Sequence, residues 1–92
     1  MTQEEMCDLL FLGCSIGDEV ASQTIDRIPP RHQAKERAIR KGWVVFKRQI
    51  TDKATGDVAD IFTMTPTGKA RLEELGGHER LTLLARSAML LQ

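Results

Sequence analysis

Apolar positions along the chain fall in blocks whose spacing is first helical, then alternating, then helical again. Met6, Leu9 and Leu10 recur at helical intervals behind the polar opening Thr2-Gln3-Glu4-Glu5. That opening fits a capping box, in which the Thr2 hydroxyl accepts from the Glu5 amide and the Glu5 carboxylate reaches back to Thr2. A helix over residues 3–13, with those three side chains inward, follows. Ser15, with Asp18 three residues later and Glu19 beside it, predicts a second helix start. Val20, Ala21, Thr24 and Ile25 are its expected inner face. Pro29-Pro30 ends it across a turn at 27–29, and Pro30 suits the first position of a third helix. Nothing breaks the chain from there to Lys41, and Gly42 is placed to stop it.

Residues 43–51 and 58–65 are rich in β-branched and aromatic side chains, and 52–57 has the composition of a turn, so a β-hairpin is expected. Thr65-Pro66 supplies an N-cap and a first-turn proline for a helix to about Leu75, ended by Gly76-Gly77. A last helix is expected over 78–91. The predicted class is mainly α with a small β-hairpin. It comprises a helix-turn-helix with its hairpin over 1–77 and a C-terminal helix over 78–92. Ninety-two residues, 41% of them hydrophobic, suffice for one modest core.

Composition adds a polarity that the zero net charge conceals. Residues 1–26 hold six acids and no Lys or Arg. Residues 27–53 hold nine bases against Glu36 and Asp52, a block charge of +7. Such a field steers an anionic partner even when the whole is neutral. On a helical wheel, Ala34, Ala38 and Ile39 face inward, and Gln33, Glu36, Arg37 and Arg40 face outward. Small inward alanines let the helix sit close to its partner, so that the opposite ridge can enter a DNA major groove. Gln33 has the geometry to pair with adenine, and Arg37 or Arg40 with guanine. Arg31 and His32, in the first turn, lie where base or phosphate contacts occur in helix-turn-helix docking. Lys47, Arg48 and Lys53 on the hairpin are the expected phosphate clamps. Lys35 and Lys41 lie toward the flanks or inner side. The competing view is an ordinary solvated helix face.

Ala38-Ile39-Arg40-Lys41-Gly42-Trp43-Val44, the charged hairpin, and Phe62-Thr63-Met64-Thr65-Pro66-Thr67-Gly68-Lys69-Ala70 together resemble the recognition helix, wing and following helix of winged-helix regulators of the MarR and PadR types. The likeness covers about residues 5–75 and is closer to a short PadR-like protein. It implies that Arg31, Gln33, Arg37 and Arg40 lie on the groove-facing helix and Lys47, Arg48 and Lys53 on the wing. It also implies a homodimer acting on double-stranded DNA as a transcriptional regulator.

Leu81, Leu84, Ala85, Ala88 and Leu91 form one apolar face of the last helix, with Leu83 and Leu90 nearly opposite. One chain has difficulty covering both sides, so dimerisation through 78–91 is expected, with exposed leucines on a frayed terminus as the plainer reading. Trp43 and Phe62 read as core, and Cys7 and Cys14 as buried thiols matching no metal pattern. Catalysis has no evident basis: His32 and His78 lie in different elements without a nucleophile, and Gly68-Lys69 lacks the rest of a phosphate-binding loop. No cofactor, metal or membrane span is expected. Because the segment before Cys14 has no positive charge, export is not expected and a cytoplasmic location is. Docking of the same fold onto a protein partner is the alternative function. Single-strand or double-stranded RNA binding is a weaker third, since few aromatics are present for stacking.

Overall fold

The computed structural model describes residues 1–23 and 29–90, and the side chains of 1–22 and 30–86. The order of elements is α1 (Gln3–Gly13), β1 (Glu19–Gln23), α2 (Pro29–Arg40), β2 (Val44–Thr51), β3 (Val58–Met64), α3 (Pro66–Glu74) and α4 (Gly77–Leu90). The three strands form one antiparallel sheet in the order β1-β3-β2. The described residues therefore form a small mixed α/β domain of four helices and a three-stranded sheet, with more β structure than the expected hairpin alone.

Local chemistry accounts for most boundaries. At Thr2 both halves of the capping box form, the Glu5 amide donating to Thr2 Oγ1 and the Thr2 amide to Glu5 Oε1, each at 3.1 Å. The end of α2 is a Schellman turn. The Trp43 amide donates to the Ala38 carbonyl at 2.9 Å and the Gly42 amide to Ile39 at 3.2 Å, with Gly42 at φ 73°. Thr65 caps α3 by accepting from the Gly68 amide at 3.1 Å, and its hydroxyl donates back to the Gly42 carbonyl at 2.5 Å. One threonine thus fastens the start of α3 to the end of α2.

The expected second helix is absent from the described residues it covers: Glu19–Gln23 is a strand paired with β3, from Glu19 opposite Thr63 to Gln23 opposite Ala59. Asp18 lies in a turn closed by the Ile16–Glu19 bridge, with Gly17 at φ 62°, so it caps no helix. Val20 is buried as expected but Ala21 is exposed. Thr24, Ile25 and most of the expected 27–29 turn lie outside the described residues.

The core joins Leu9, Phe11 and Leu12 of α1, Val20 of β1, Ala34 and Ala38 of α2, Trp43, Val44, Phe62 and Met64 of the hairpin region, and Leu72 and Leu75 at α3. Trp43 and Phe62 are core, as their sequence context suggested. Within α1 the inward set is shifted: Met6 and Leu10 are exposed, and Phe11 and Leu12 take their place. Cys7 is only partly buried and Cys14 is exposed, which corrects the expectation of two buried thiols. Leu81 and Leu84 of α4 pack against the same core. Leu83 stands 57% exposed, and the side chains of 87–92 lie outside the described set.

Gly68 explains how closely α3 approaches the hairpin. A Cβ at that position would run into the Trp43 carbonyl oxygen and lie 2.9 Å from Met64 Cγ. Only a glycine lets the first turn of α3 lie against the backbone that ends α2.

Candidate nucleic-acid interface

Burial divides α2 into an inner strip and an outer ridge. Ala34, Lys35 and Ala38 are buried, and Arg31, Gln33, Glu36, Ile39 and Arg40 are exposed. Ile39, placed inward on the wheel, is 48% exposed, and Lys35 is buried on the inner side, within the range expected of it. The solvent-facing ridge therefore centres on Gln33, Glu36 and Arg40, flanked by His32 and Ile39. His32 Nε2 lies 3.1 Å from Glu36 Oε1, one turn along the same face. Lys41 is exposed just beyond the helix, and Lys53 is exposed at the hairpin tip. Arg40, Lys41 and Lys53 make no ion pair among the described residues.

Arg37 is not on that ridge, which corrects its expected outward placement. Its side chain is 13% exposed and turned toward α1, with Nε 2.9 Å and Nη2 2.5 Å from Asp8 Oδ1. Glu4 adds its carbonyl oxygen at 3.4 Å and its carboxylate at 3.6 Å. Hydrogen bonding to Asp8 raises the Arg37 pKa against the opposing effect of burial. Asp8 is itself 2% exposed and meets Arg71 of α3 at 3.7 Å. The Arg71 guanidinium lies 5.3 Å from the Trp43 ring centroid, a cation–π distance. An open cavity of about 510 Å³ lies over this cluster, lined by Glu4, Asp8, Arg37, Lys41, Trp43, Arg71 and Glu74. Its acids and bases mostly satisfy one another, and its clearest product is a tie among three helices.

Lys47 and Arg48 are brought together, but around Glu19. Lys47 Nζ lies 2.7 Å from Glu19 Oε1, and Arg48 donates to Oε1 at 3.1 Å and to Oε2 at 3.2 Å. The register explains the meeting. Arg48 pairs with Ile61, and the shift between Phe46 and Arg48 makes Lys47 a bulge residue that turns to the same side. Directly opposed residues share a face, so Glu19, Ala21, Ile61, Val45 and Arg48 lie on the sheet surface away from the helices, whereas Val20, Phe62, Met64 and Val44 face the core. The two cations hold the Glu19 carboxyl well below its ordinary range, at about 2, with the Lys47 hydrogen bond the larger cause.

Among the described residues no group of His, Cys, Asp and Glu is arranged to hold a metal ion, and no helix is long and apolar enough to cross a membrane. No protein-family model matches the chain, and neither a curated protein nor a solved structure does.

Two partners of the expected site residues were missed from sequence, Glu19 beside the hairpin cations and buried Asp8 as the anchor of Arg37. Both lie in the acidic N-terminal block, and that charge asymmetry was the only available signal.

Proposed function

We propose that the chain is a winged-helix DNA-binding domain, with α2 as the reading helix and the β2–β3 hairpin as the wing. The observation that carries this reading is the set of exposed cations without ion-pair partners among the described residues: Arg40 on the ridge, Lys41 at its end and Lys53 at the hairpin tip. Support also comes from the order of elements from α2 onward, a helix ended by a glycine turn, a charged hairpin and a proline-started helix, although β1 stands in part of the span where the first helix of a helix-turn-helix was expected. Gln33 and Arg40 are the base readers, Arg31 and His32 contact bases or phosphates near the helix start, and Lys41 and Lys53 contact phosphates. Arg37 is assigned to holding α2 in place. The domain acts as a homodimer through α4, where exposed Leu83 supplies part of the contact, and serves as a transcriptional regulator in the cytoplasm.

The internal pairing of Arg37, Lys47 and Arg48 favours a second reading, in which the same fold docks a protein and needs no wide cationic face. Selection of duplexes from a randomised pool separates the two. DNA reading predicts an enriched motif on which Arg40→Ala costs about 1–3 kcal/mol and relaxes preference, while Lys53→Ala weakens all duplexes alike. A pool that yields no enrichment from folded protein favours the protein partner.

A further inference from the structure

We infer that Lys47 and Arg48 form a phosphate site held closed by Glu19, whose carboxylate a backbone phosphate of the duplex displaces on binding. The inference rests on the DNA-binding reading above and adds to it a phosphate contact on the sheet face away from the helices.

The geometry is that of an oxyanion already bound. Arg48 presents two nitrogens to the two oxygens of one carboxylate, and Lys47 adds a third donor to Oε1. A guanidinium fork with a neighbouring ammonium takes a carboxylate or a pair of phosphate oxygens equally well. The arrangement is built by the sheet: Glu19 is the first residue of β1, held opposite Thr63 on the strand that also holds Arg48 opposite Ile61. The bulge adds Lys47 to the same face. Without the bulge, alternation would turn Lys47 and Arg48 to opposite faces.

The closure is weak enough to be reversible. The side chains of Lys47, Arg48 and Glu19 are 49%, 48% and 35% exposed, so their pairing is screened by solvent and salt. A polyanion is thus able to displace the carboxylate, and the occupied site carries one positive charge less than its two cations suggest. Glu19 lowers the affinity for any phosphate chain and thereby leaves more of the discrimination to the base-reading ridge.

The test is fluorescence anisotropy with a random-sequence DNA duplex across a salt series, comparing wild type, Glu19→Gln, and Glu19→Gln combined with Lys47→Gln and Arg48→Gln, each checked for fold by circular dichroism. The expected result is that Glu19→Gln binds about fivefold tighter and that its slope of log K against log salt is more negative by about 1 to 2. The triple variant loses both gains. If wild type binds and Glu19→Gln matches it in affinity and slope, the closed-site inference is overturned while the DNA reading stands. If neither binds duplex at low salt, both fall together. In wild type, the Glu19 carboxyl carbon resonance reports the same event without any substitution. It moves toward the position of an unpaired carboxylate on addition of duplex, and an unmoved resonance under saturating duplex overturns the inference.

Discussion

Arg37 Nη2 lies 2.5 Å from Asp8 Oδ1, joining α1 and α2 through residues 29 positions apart in sequence. Both groups are largely out of water, and Asp8 also meets Arg71 of α3, so one carboxylate ties three helices. A charge buried this far is tolerable only while paired, because removing one partner leaves the other desolvated and uncompensated. Arg37→Ala is therefore expected to destabilise the fold by about 3 kcal/mol in denaturant unfolding. Replacing Asp8 and Arg37 together with leucine should cost less than the two single losses added. Equal stability of wild type and Arg37→Ala would return Arg37 to the exposed ridge.

Gly68 and Gly13 offer a contrast in how a single methyl is received. At Gly68 the added carbon meets the Trp43 backbone, which cannot move without lifting α3 off the hairpin. At Gly13 it meets Leu81 Cδ2 at 2.8 Å, the far end of a flexible side chain. Gly68→Ala is expected to cost about 2 kcal/mol or more, and Gly13→Ala less than about 1 kcal/mol. Thermal unfolding of the two variants side by side checks the difference, and equal losses would count against the close approach at Gly68.

The sheet surface makes a pH prediction. Lys47 and Arg48 depress the Glu19 pKa from its ordinary 4.5 to about 2. A depressed carboxylate contributes stability above its unfolded value, and that contribution is lost as pH falls from about 4.5 toward 2. Titration of the Glu19 side chain by nuclear magnetic resonance should give a midpoint near 2, rising in Lys47→Gln. An ordinary midpoint in wild type would mean that the three hydrogen bonds do not persist in solution.

How much of this was legible from sequence depends on the range of the interaction involved. The capping box at Thr2, the Schellman turn at Gly42 and the Thr65-Pro66 start are written within a few residues, and each forms as expected. The strand β1 is not locally written. Glu19-Val20-Ala21-Ser22-Gln23 has one β-branched residue, and its conformation comes from pairing with β3 some forty positions later. The Ser15/Asp18 pattern offered a local helix start, but the tertiary pairing outweighed it. Arg37 was misplaced for the same reason, since the wheel gives its direction to within a broad arc and Asp8 decides the rest. Ile39 departs from its expected inward place, whereas Lys35 lies on the inner side that its wheel position allowed, since the stem of a lysine can pack there.

The α4 proposal turns on Leu83, which is 57% exposed on a helix whose Leu81 and Leu84 already pack inward. Leu83→Lys should leave the fold intact, because the side chain meets no core, and should shift a dimer to monomer in sedimentation equilibrium at micromolar concentration. A wild-type chain that sediments as a monomer would rule out the dimer. Truncation after Gly77 is a poorer test, since it also strips Leu81 and Leu84 from the core.

Arg40, Lys41 and Lys53 are proposed to engage the phosphates and bases of a DNA duplex. The most direct test is duplex affinity measured between about 50 and 200 mM salt, where each phosphate contact contributes about −0.9 to the slope of log K against log salt. Measurable binding is expected at the lower salt, with a slope that becomes shallower by about 1 in Lys53→Ala. Folded protein that shows no duplex binding at about 50 mM salt, or a slope indifferent to Lys53, contradicts it.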